Sequence, residues 1–355
     1  MVRNNIIWMK EFLKESNKNI IKNIKNNKIP FIDKKQLSLY LDSLKEKNIK
    51  VITYFDDEYP EKLKRIYNPP VLLYIKGNIE LLKKRAIGIV GSRKCTSYGK
   101  NITLSFSEIL SKEYVIISGM AYGIDSYAHK GAINNGTIAV LGSGIDIPYP
   151  VSNTNLYYEI LKHNGCIISE YAPGTPAQPF RFPERNRIIV GLSESIIVME
   201  AAKKSGSLIT ARLAAESGID VYAVPGDINK KSSEGTNNLI YNGATPIISE
   251  KHLKDLFNIK QDKNIKLKSS IDIKIVSAIT NGYDSFEKII YYTNESPSII
   301  LQRLTILIME NLIVENNGTY YYKGDDDYEK DIIFYYFFID IYTTFLFFAK
   351  QAGTL

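Results

Sequence analysis

Along the middle of the chain, short apolar runs of strand length end in glycine and give way to stretches with helical spacing. The clearest runs are AIGIV (86–90), YVIIS (114–118), TIAVL (137–141), CIIS (166–169), SIIVM (195–199) and DVYAV (220–224). Their unbroken apolar character predicts strands buried on both faces. Their alternation with helices predicts an α/β class built of βα units on a parallel sheet. Residues 51–257 are read as this domain.

The flanks read differently. Residues 1–50 are Ile, Asn and Lys at irregular helical spacing with a break at Pro30, read as a basic helical accessory region. After Phe257 the stretch NIKQDKNIKLKSS has linker composition, placed at 258–268. Residues 269–323 predict an apolar helix over 271–279, a second over 284–292 and a third opened by Ser296 as N-cap with Pro297 behind it. A hairpin follows with Asn317-Gly318 at its turn, and three helices plus a β-hairpin spell a winged helix-turn-helix. Residues 324–355 form an acidic and then aromatic tail, with the run IIFYYFFIDIYTTFLFFA at 332–349. A tail anchor is possible on length. The Asp340 inside it and the acidic DDDYEKD before it favour a buried or interface segment, or an altered C-terminus, so a membrane partner is not expected.

Charge narrows the partner class. The 355 residues carry 45 Lys+Arg and 38 Asp+Glu, a net of +7. Residues 1–50 hold 12 basic and 5 acidic residues, so the whole excess equals theirs. A broad basic face elsewhere is not supported, and a polyanion would have to be met by a few aimed groups. Two separated cysteines, Cys95 and Cys166, and three scattered histidines exclude a disulfide scaffold and argue against zinc. No metal site and no cofactor is expected, and the absence of a signal-peptide pattern points to the cytoplasm.

The strand ends supply the candidate chemistry. In an open parallel sheet, ligands bind beyond the carboxyl ends of the strands, where helix N-termini offer free N–H groups. Those ends read IGIVGSR (Gly91, Ser92, Arg93), IISGMAYGID (Gly119, Gly123), VLGSGID (Gly142, Gly144) and SGSLIT (Gly206, Ser207, Thr210). Glycines that admit an anion closely, with hydroxyls as extra donors, make a phosphate cradle. The first loop is neither G-x-G-x-x-G nor a Walker sequence, and Ser118-Gly119 stands where an NAD site wants an acid, so NAD and ATP lose ground. Arg93 is placed for a forked contact to a phosphate oxygen.

The stretch FRFPERNRII (180–189) puts Arg181, Arg185 and Arg187 beside two phenylalanines. Arginine for phosphate and an aromatic face for stacking is the chemistry of single-stranded nucleic acid binding, with Phe182 the stacking residue. The bland alternative has Phe182 in the core and Arg185 or Arg187 paired with Glu170 or Glu200. No catalytic constellation assembles: Asp125 and His129 fall at i, i+4 on one helix, a spacing read first as helix packing and second as an acid/base pair. A non-enzyme is expected.

The motifs GIVGSR, ISGMAYGIDSYAH, GTIAVLGSGIDIPYP, ISEYAPGTPAQPFRFPERNRIIVGLS, VMEAAKKSGSLITARLAAESG and YAVPG, then GTNNLIYNGA, together resemble the DNA-processing protein A family, also called DprA or Smf. The resemblance spans about residues 54–257. It implies a Rossmann-like, doubly wound, mostly parallel sheet with a C-terminal winged-helix domain, a homodimer, and a recombination mediator that binds single-stranded DNA and loads a RecA-type recombinase in natural transformation. It also implies a DNA pocket made by Arg93 and the span Phe182 to Arg187, Asn186 included, with neighbouring glycines. Ile219 and Val151 depart from the family pattern by removing positive charge. Two other classes stay open: a nucleotide phosphoribohydrolase of the same superfamily, disfavoured because SGSLITAR has no carboxylate before Glu216, and a protein-interaction scaffold.

Overall fold

A computed structural model of the chain describes residues 2–259, 269–310 and 312–322. They fall into two compact units, Met1–Lys260 and Gln261–Leu355. All but the first two residues of the segment read as a linker, and all of the aromatic tail, lie outside the described residues.

The first unit is built on nine strands: β1 Lys50–Thr53, β2 Leu72–Gly77, β3 Ala86–Val90, β4 Val115–Ser118, β5 Thr137–Leu141, β6 Cys166–Ser169, β7 Ser195–Val198, β8 Asp220–Ala223 and β9 Thr245–Pro246. They form one sheet in the order β1-β2-β6-β5-β4-β3-β7-β8-β9. From β6 through β9 every pairing is parallel, and β1–β2 and β2–β6 are antiparallel. The class is α/β with a mostly parallel central sheet. The six apolar runs are β3 to β8. The sequence reading did not include β1, β2 or β9; β1 and β2 are the antiparallel strands at one edge of the sheet and β9 is two residues long.

Alternation along the strands divides the apolar residues between two faces. On one face Ile117, Val140, Ile168 and Ile196 pack with Ile188 and Ile189 of the helix Arg181–Leu192 and with Ala211 and Ala214 of the helix Ser207–Glu216. On the other, Ile87, Ile116 and Ile197 meet Phe106 and Leu110 of Ser97–Ser111 and Ala128 of Ile124–Gly131. Helices therefore cover both faces, which is why these strands tolerate no polar alternation.

Residues 1–50 are more than an appendage. Their helices Val2–Glu11, Asn17–Lys25 and Lys34–Glu46 are capped by Ser16 and Asp33 where capping is resolved. Ile6, Ile7, Met9 and Ile20 are fully buried in the same cluster as Leu72, Tyr74 and Ile167. An accessory region is thus part of the first unit's core, because its scattered isoleucines align on one side of the helices and complete a sheet face.

The second unit has helices Ser270–Thr280, Phe286–Thr293 and Pro297–Met309, then an antiparallel hairpin of Ile313–Asn316 and Thr319–Tyr322. Asn317 and Gly318 take the positive φ values that a tight hairpin turn requires. Its own core is Ile275, Ile279, Ile289, Ile300, Leu304, Leu307 and Ile313. Among the described residues no helix is long and apolar enough to cross a membrane.

Candidate nucleic-acid interface

The strand order reverses at β3, whose neighbours are β4 on one side and β7 on the other. The chain leaving β3 and the chain leaving β7 therefore diverge and open a crevice between them, the place where open α/β sheets bind ligands. An open cleft of about 710 Å³ lies there. Its walls are Gly91, Ser92, Arg93 and Lys94 after β3, Lys204 to Ser207 and Thr210 after β7, and Phe182, Arg185 and Asn186 from the start of the helix Arg181–Leu192, with Lys231 and Ser232 at the rim.

Local rules explain how these groups reach one place. The helix Ser207–Glu216 starts at the cleft wall, so its first N–H groups and the positive end of its dipole face the opening. Ser205 and Ser207 hydroxyls lie 2.7 Å apart at that start. The loop after β3 is pinned by Ser92 N–H donating to the Glu200 carbonyl at 2.7 Å. The Glu200 carboxylate, buried, accepts from the Thr96 N–H and hydroxyl. Gly123 turns the chain into its helix at φ 72°, a conformation that suits glycine.

Arg93, Lys94, Lys204 and Lys231 are exposed and, among the described residues, none is paired with a carboxylate. Four open cations on one cleft set its sign. The Arg93 guanidinium lies 5.6 Å from the Phe182 ring centre, and Tyr149 stacks on the same ring at 5.4 Å. Phe182 is half-buried and already in contact with both, and Tyr149, 44% exposed, is the more open ring of the pair.

Arg185 does not behave as a surface ligand. It is 4% exposed, and its guanidinium donates to the carbonyls of Gly119 and Val140 at the ends of β4 and β5. A Cβ on Gly119 would stand 2.5 Å from that guanidinium, so any other residue there would push Arg185 from its place. Burial pushes Arg185 down to about 10, opposed by the nearby Asp125 carboxylate. The same burial raises Asp125, with Arg185 as the largest opposing influence. Arg185 is a strut that ties two strand ends and the Asn186 side chain, which accepts from its Nε at 3.2 Å.

Arg187 turns away. Its Nη2 donates to the Glu170 carboxylate at 2.7 Å, and its Nε and Nη1 reach the Asn68 and Glu184 carbonyls. The alternative weighed from sequence, pairing with Glu170, describes this arginine. Gly119 and Gly142 do not line the cleft; they sit beneath Arg185 and Phe182 and make room for them. The remaining residues picked from sequence, Gly91, Ser92, Arg93, Phe182, Asn186, Gly206, Ser207 and Thr210, do line it.

Sequence reading missed Lys94, Lys204 and Lys231. The only signals were the basic pairs Arg93-Lys94, Lys203-Lys204 and Lys230-Lys231, in loops that carry no periodicity. Asp125 and His129 do not form an acid/base pair. The Thr137 hydroxyl is spent on the Ile116 carbonyl, so the His129 Nδ1–H donates to it at 2.7 Å. Burial, with Arg185 adding to it, pushes the His129 imidazole down to about 3 and keeps it neutral.

In the second unit, Arg303 of the third helix donates through Nε and Nη2 to Asp272 at 2.8 and 2.6 Å. Asp272 also completes a capping box with Ser269. Burial works against its carboxylate, but these bonds outweigh it and hold Asp272 below its ordinary value. The basic group of the third helix is thus consumed by its own unit.

The family model for DNA recombination-mediator protein A matches residues 50–258, more than half of the chain. The DNA processing protein DprA of Streptococcus pneumoniae is 46% identical over 196 residues, 55% of this chain and 69% of the relative. That of Bacillus subtilis is 41% identical over 235 residues, 65% of this chain and 78% of the relative. Among solved structures, Streptococcus pneumoniae DprA aligns with a TM-score of 0.59 at 35% identity, covering 74% of this chain and 94% of that one. Helicobacter pylori DNA processing protein A, studied for its single-stranded DNA binding mode, aligns with a TM-score of 0.54 at 30% identity, covering 59% and 94%.

Proposed function

Because the chain belongs to the DNA recombination-mediator protein A family, we propose that it binds single-stranded DNA in the cleft between β3 and β7. In this reading it acts as a cytoplasmic recombination mediator, loading a RecA-type recombinase onto incoming strands during natural transformation as a homodimer. The observation that carries the binding step is the cleft itself, with four open cations, glycine-lined loops and a helix N-terminus converging at the switch point. Such a wall recognises a phosphodiester by charge and backbone N–H donors, with no base identity required. The Phe182–Tyr149 pair beside Arg93 offers a stacking surface that an unpaired base can use and a duplex cannot.

No reaction is part of this proposal. The carboxylate that lines the cleft is Asp125, buried against Arg185, which suits structure better than the glycosidic chemistry of a phosphoribohydrolase. We read the second unit as a winged helix that meets protein or caps the fold, since Arg303 is spent on Asp272.

Fluorescence anisotropy of labelled oligo-dT against a duplex of equal length tests the binding step. The expected result is a preference for the single strand that falls sharply in Arg93→Ala/Lys204→Ala. Equal affinity of this variant and the native chain would remove the cleft assignment. Release of free base from nucleoside monophosphates by the purified protein would favour the enzyme instead.

A further inference from the structure

The arginines of this chain sort by what holds them. Arg3, Arg85, Arg187, Arg212 and Arg303 each pair with a carboxylate. Arg181 pairs with none among the described residues. Its guanidinium lies 4.9 Å from the Tyr171 ring centre and 5.5 Å from that of Phe180, and it donates to the Pro176 carbonyl. The Tyr171 hydroxyl donates to Glu184 at 3.0 Å, which fixes that ring. Phe180 is 59% exposed. Tyr171, Phe180 and Arg181 do not line the cleft. They form a second aromatic and arginine cluster at the start of the helix Arg181–Leu192.

The fold gains little from this arrangement. Exposed cation–π contacts are weak, and an open phenylalanine forfeits the benefit of burial. An unpaired base would use both features, since aromatic rings and guanidinium planes are the surfaces on which single-stranded bases stack. Phe180 and Phe182 are two positions apart, so their Cα atoms stand at most about 7 Å from each other. The cluster and the cleft therefore lie within reach of neighbouring nucleotides of one strand. Glu184 sits on the Tyr171 side and repels phosphate there, which leaves stacking on Phe180 and Arg181 as the contact.

We propose that Phe180, Arg181 and Tyr171 form a second subsite that stacks an unpaired base of the strand whose phosphates occupy the cleft. The inference rests on the single-stranded DNA reading and adds to it. A length series of oligo-dT, measured by anisotropy, separates the two. Arg93→Ala weakens binding at every length. Phe180→Ala/Arg181→Ala leaves the shortest oligonucleotides unchanged and weakens longer ones about tenfold, the loss of one stacked base. Arg181→Lys, which keeps the charge but not the plane, behaves like the double variant in direction. On the native chain, an oligonucleotide carrying 5-iodouracil cross-links to Phe180 or Tyr171 on irradiation.

If Arg93→Ala weakens binding while the double variant matches the native chain at every length, the subsite is wrong and the cleft stands. Full affinity in Arg181→Lys reduces Arg181 to a point charge and overturns stacking on its plane. A loss equal at all lengths with a lowered melting temperature makes the cluster structural. No single-strand binding by the native chain at any length overturns cleft and subsite together.

Discussion

The cleft of the first unit and the third helix of the second each present an arginine beside a helix, and they differ in what surrounds it. Arg93 is exposed, has no carboxylate partner among the described residues, and rests against Phe182. Arg303 is locked by two bonds to a buried Asp272. A third state lies under the cleft, where Arg185 is buried and satisfied by carbonyls. Counting basic residues treats the three alike. Their partners divide them into a group free to meet a phosphate, a group that staples a small unit, and a group that shapes the cleft floor.

The largest effect is expected at the buried member. Arg185→Ala leaves the Gly119 and Val140 carbonyls without their donor and removes the positive charge that opposes the burial of Asp125, a loss of about 2–6 kcal/mol at about 1–3 kcal/mol for each buried group left unsatisfied. Urea unfolding should show it directly, and Arg185→Met/Asp125→Asn should recover only the part due to the unopposed Asp125 charge, since the two carbonyls still lack a donor. An unchanged midpoint in Arg185→Ala would return Arg185 to the ligand-contacting class.

The floor also sets an acid limit. His129 is held neutral down to about 3, whereas an exposed histidine takes its proton near 6.5. Below 6.5 the unfolded chain therefore binds a proton that the folded one refuses, and stability falls as pH drops toward 3. At pH 5 the loss is about 2 kcal/mol. Stability against pH should slope over this window in the native chain and flatten in His129→Gln, whatever the variant's absolute stability. Equal slopes would place the acid limit elsewhere.

The comparison is sharpest between Arg93 and Arg303. Arg93→Ala should cost about tenfold in oligo-dT affinity, roughly 1.4 kcal/mol for one charge-assisted phosphate contact. Arg303→Ala should leave affinity unchanged and lower the thermal stability of the second unit, since its partner carries a helix cap. A variant at Arg303 that weakened DNA binding as much as one at Arg93 would break the division.

What could be read from sequence follows the same physics. The strands β3 to β7 were legible because burial on both faces forces continuous apolar runs, and the glycines after β3, β4 and β5 marked the loops there. The first helices were harder to place, since Ile6, Ile7 and Ile20 show their common destination only when β2 lies beside them. In the site, Gly91, Arg93 and Ser207 were legible from spacing, but Lys94, Lys204 and Lys231 were not, because loop lysines carry no pattern. The fates of Arg185 and Arg187, two residues apart, depended on which side of one helix faces the strand ends and which faces Glu170.

The smallest effect concerns the charge with which residues 1–50 account for the net +7. Lys18, Lys22 and Lys25 follow i, i+4, i+7 spacing on the helix Asn17–Lys25 and are exposed, so they form one basic stripe. Deleting residues 1–50 is not a clean probe, since Ile6, Ile7, Met9 and Ile20 are part of the core. Replacing the three lysines by alanine removes charge and leaves those residues in place. If the stripe adds long-range attraction, the dependence of log K on log salt becomes shallower by at most about 2, at about 0.7 per single-strand phosphate contact. The ratio of single-strand to duplex affinity should not move, because stacking and the cleft's aimed donors are untouched. A change in that ratio would show that the stripe reads strandedness, and the line drawn between aimed and diffuse charge would have to pass through the first unit itself.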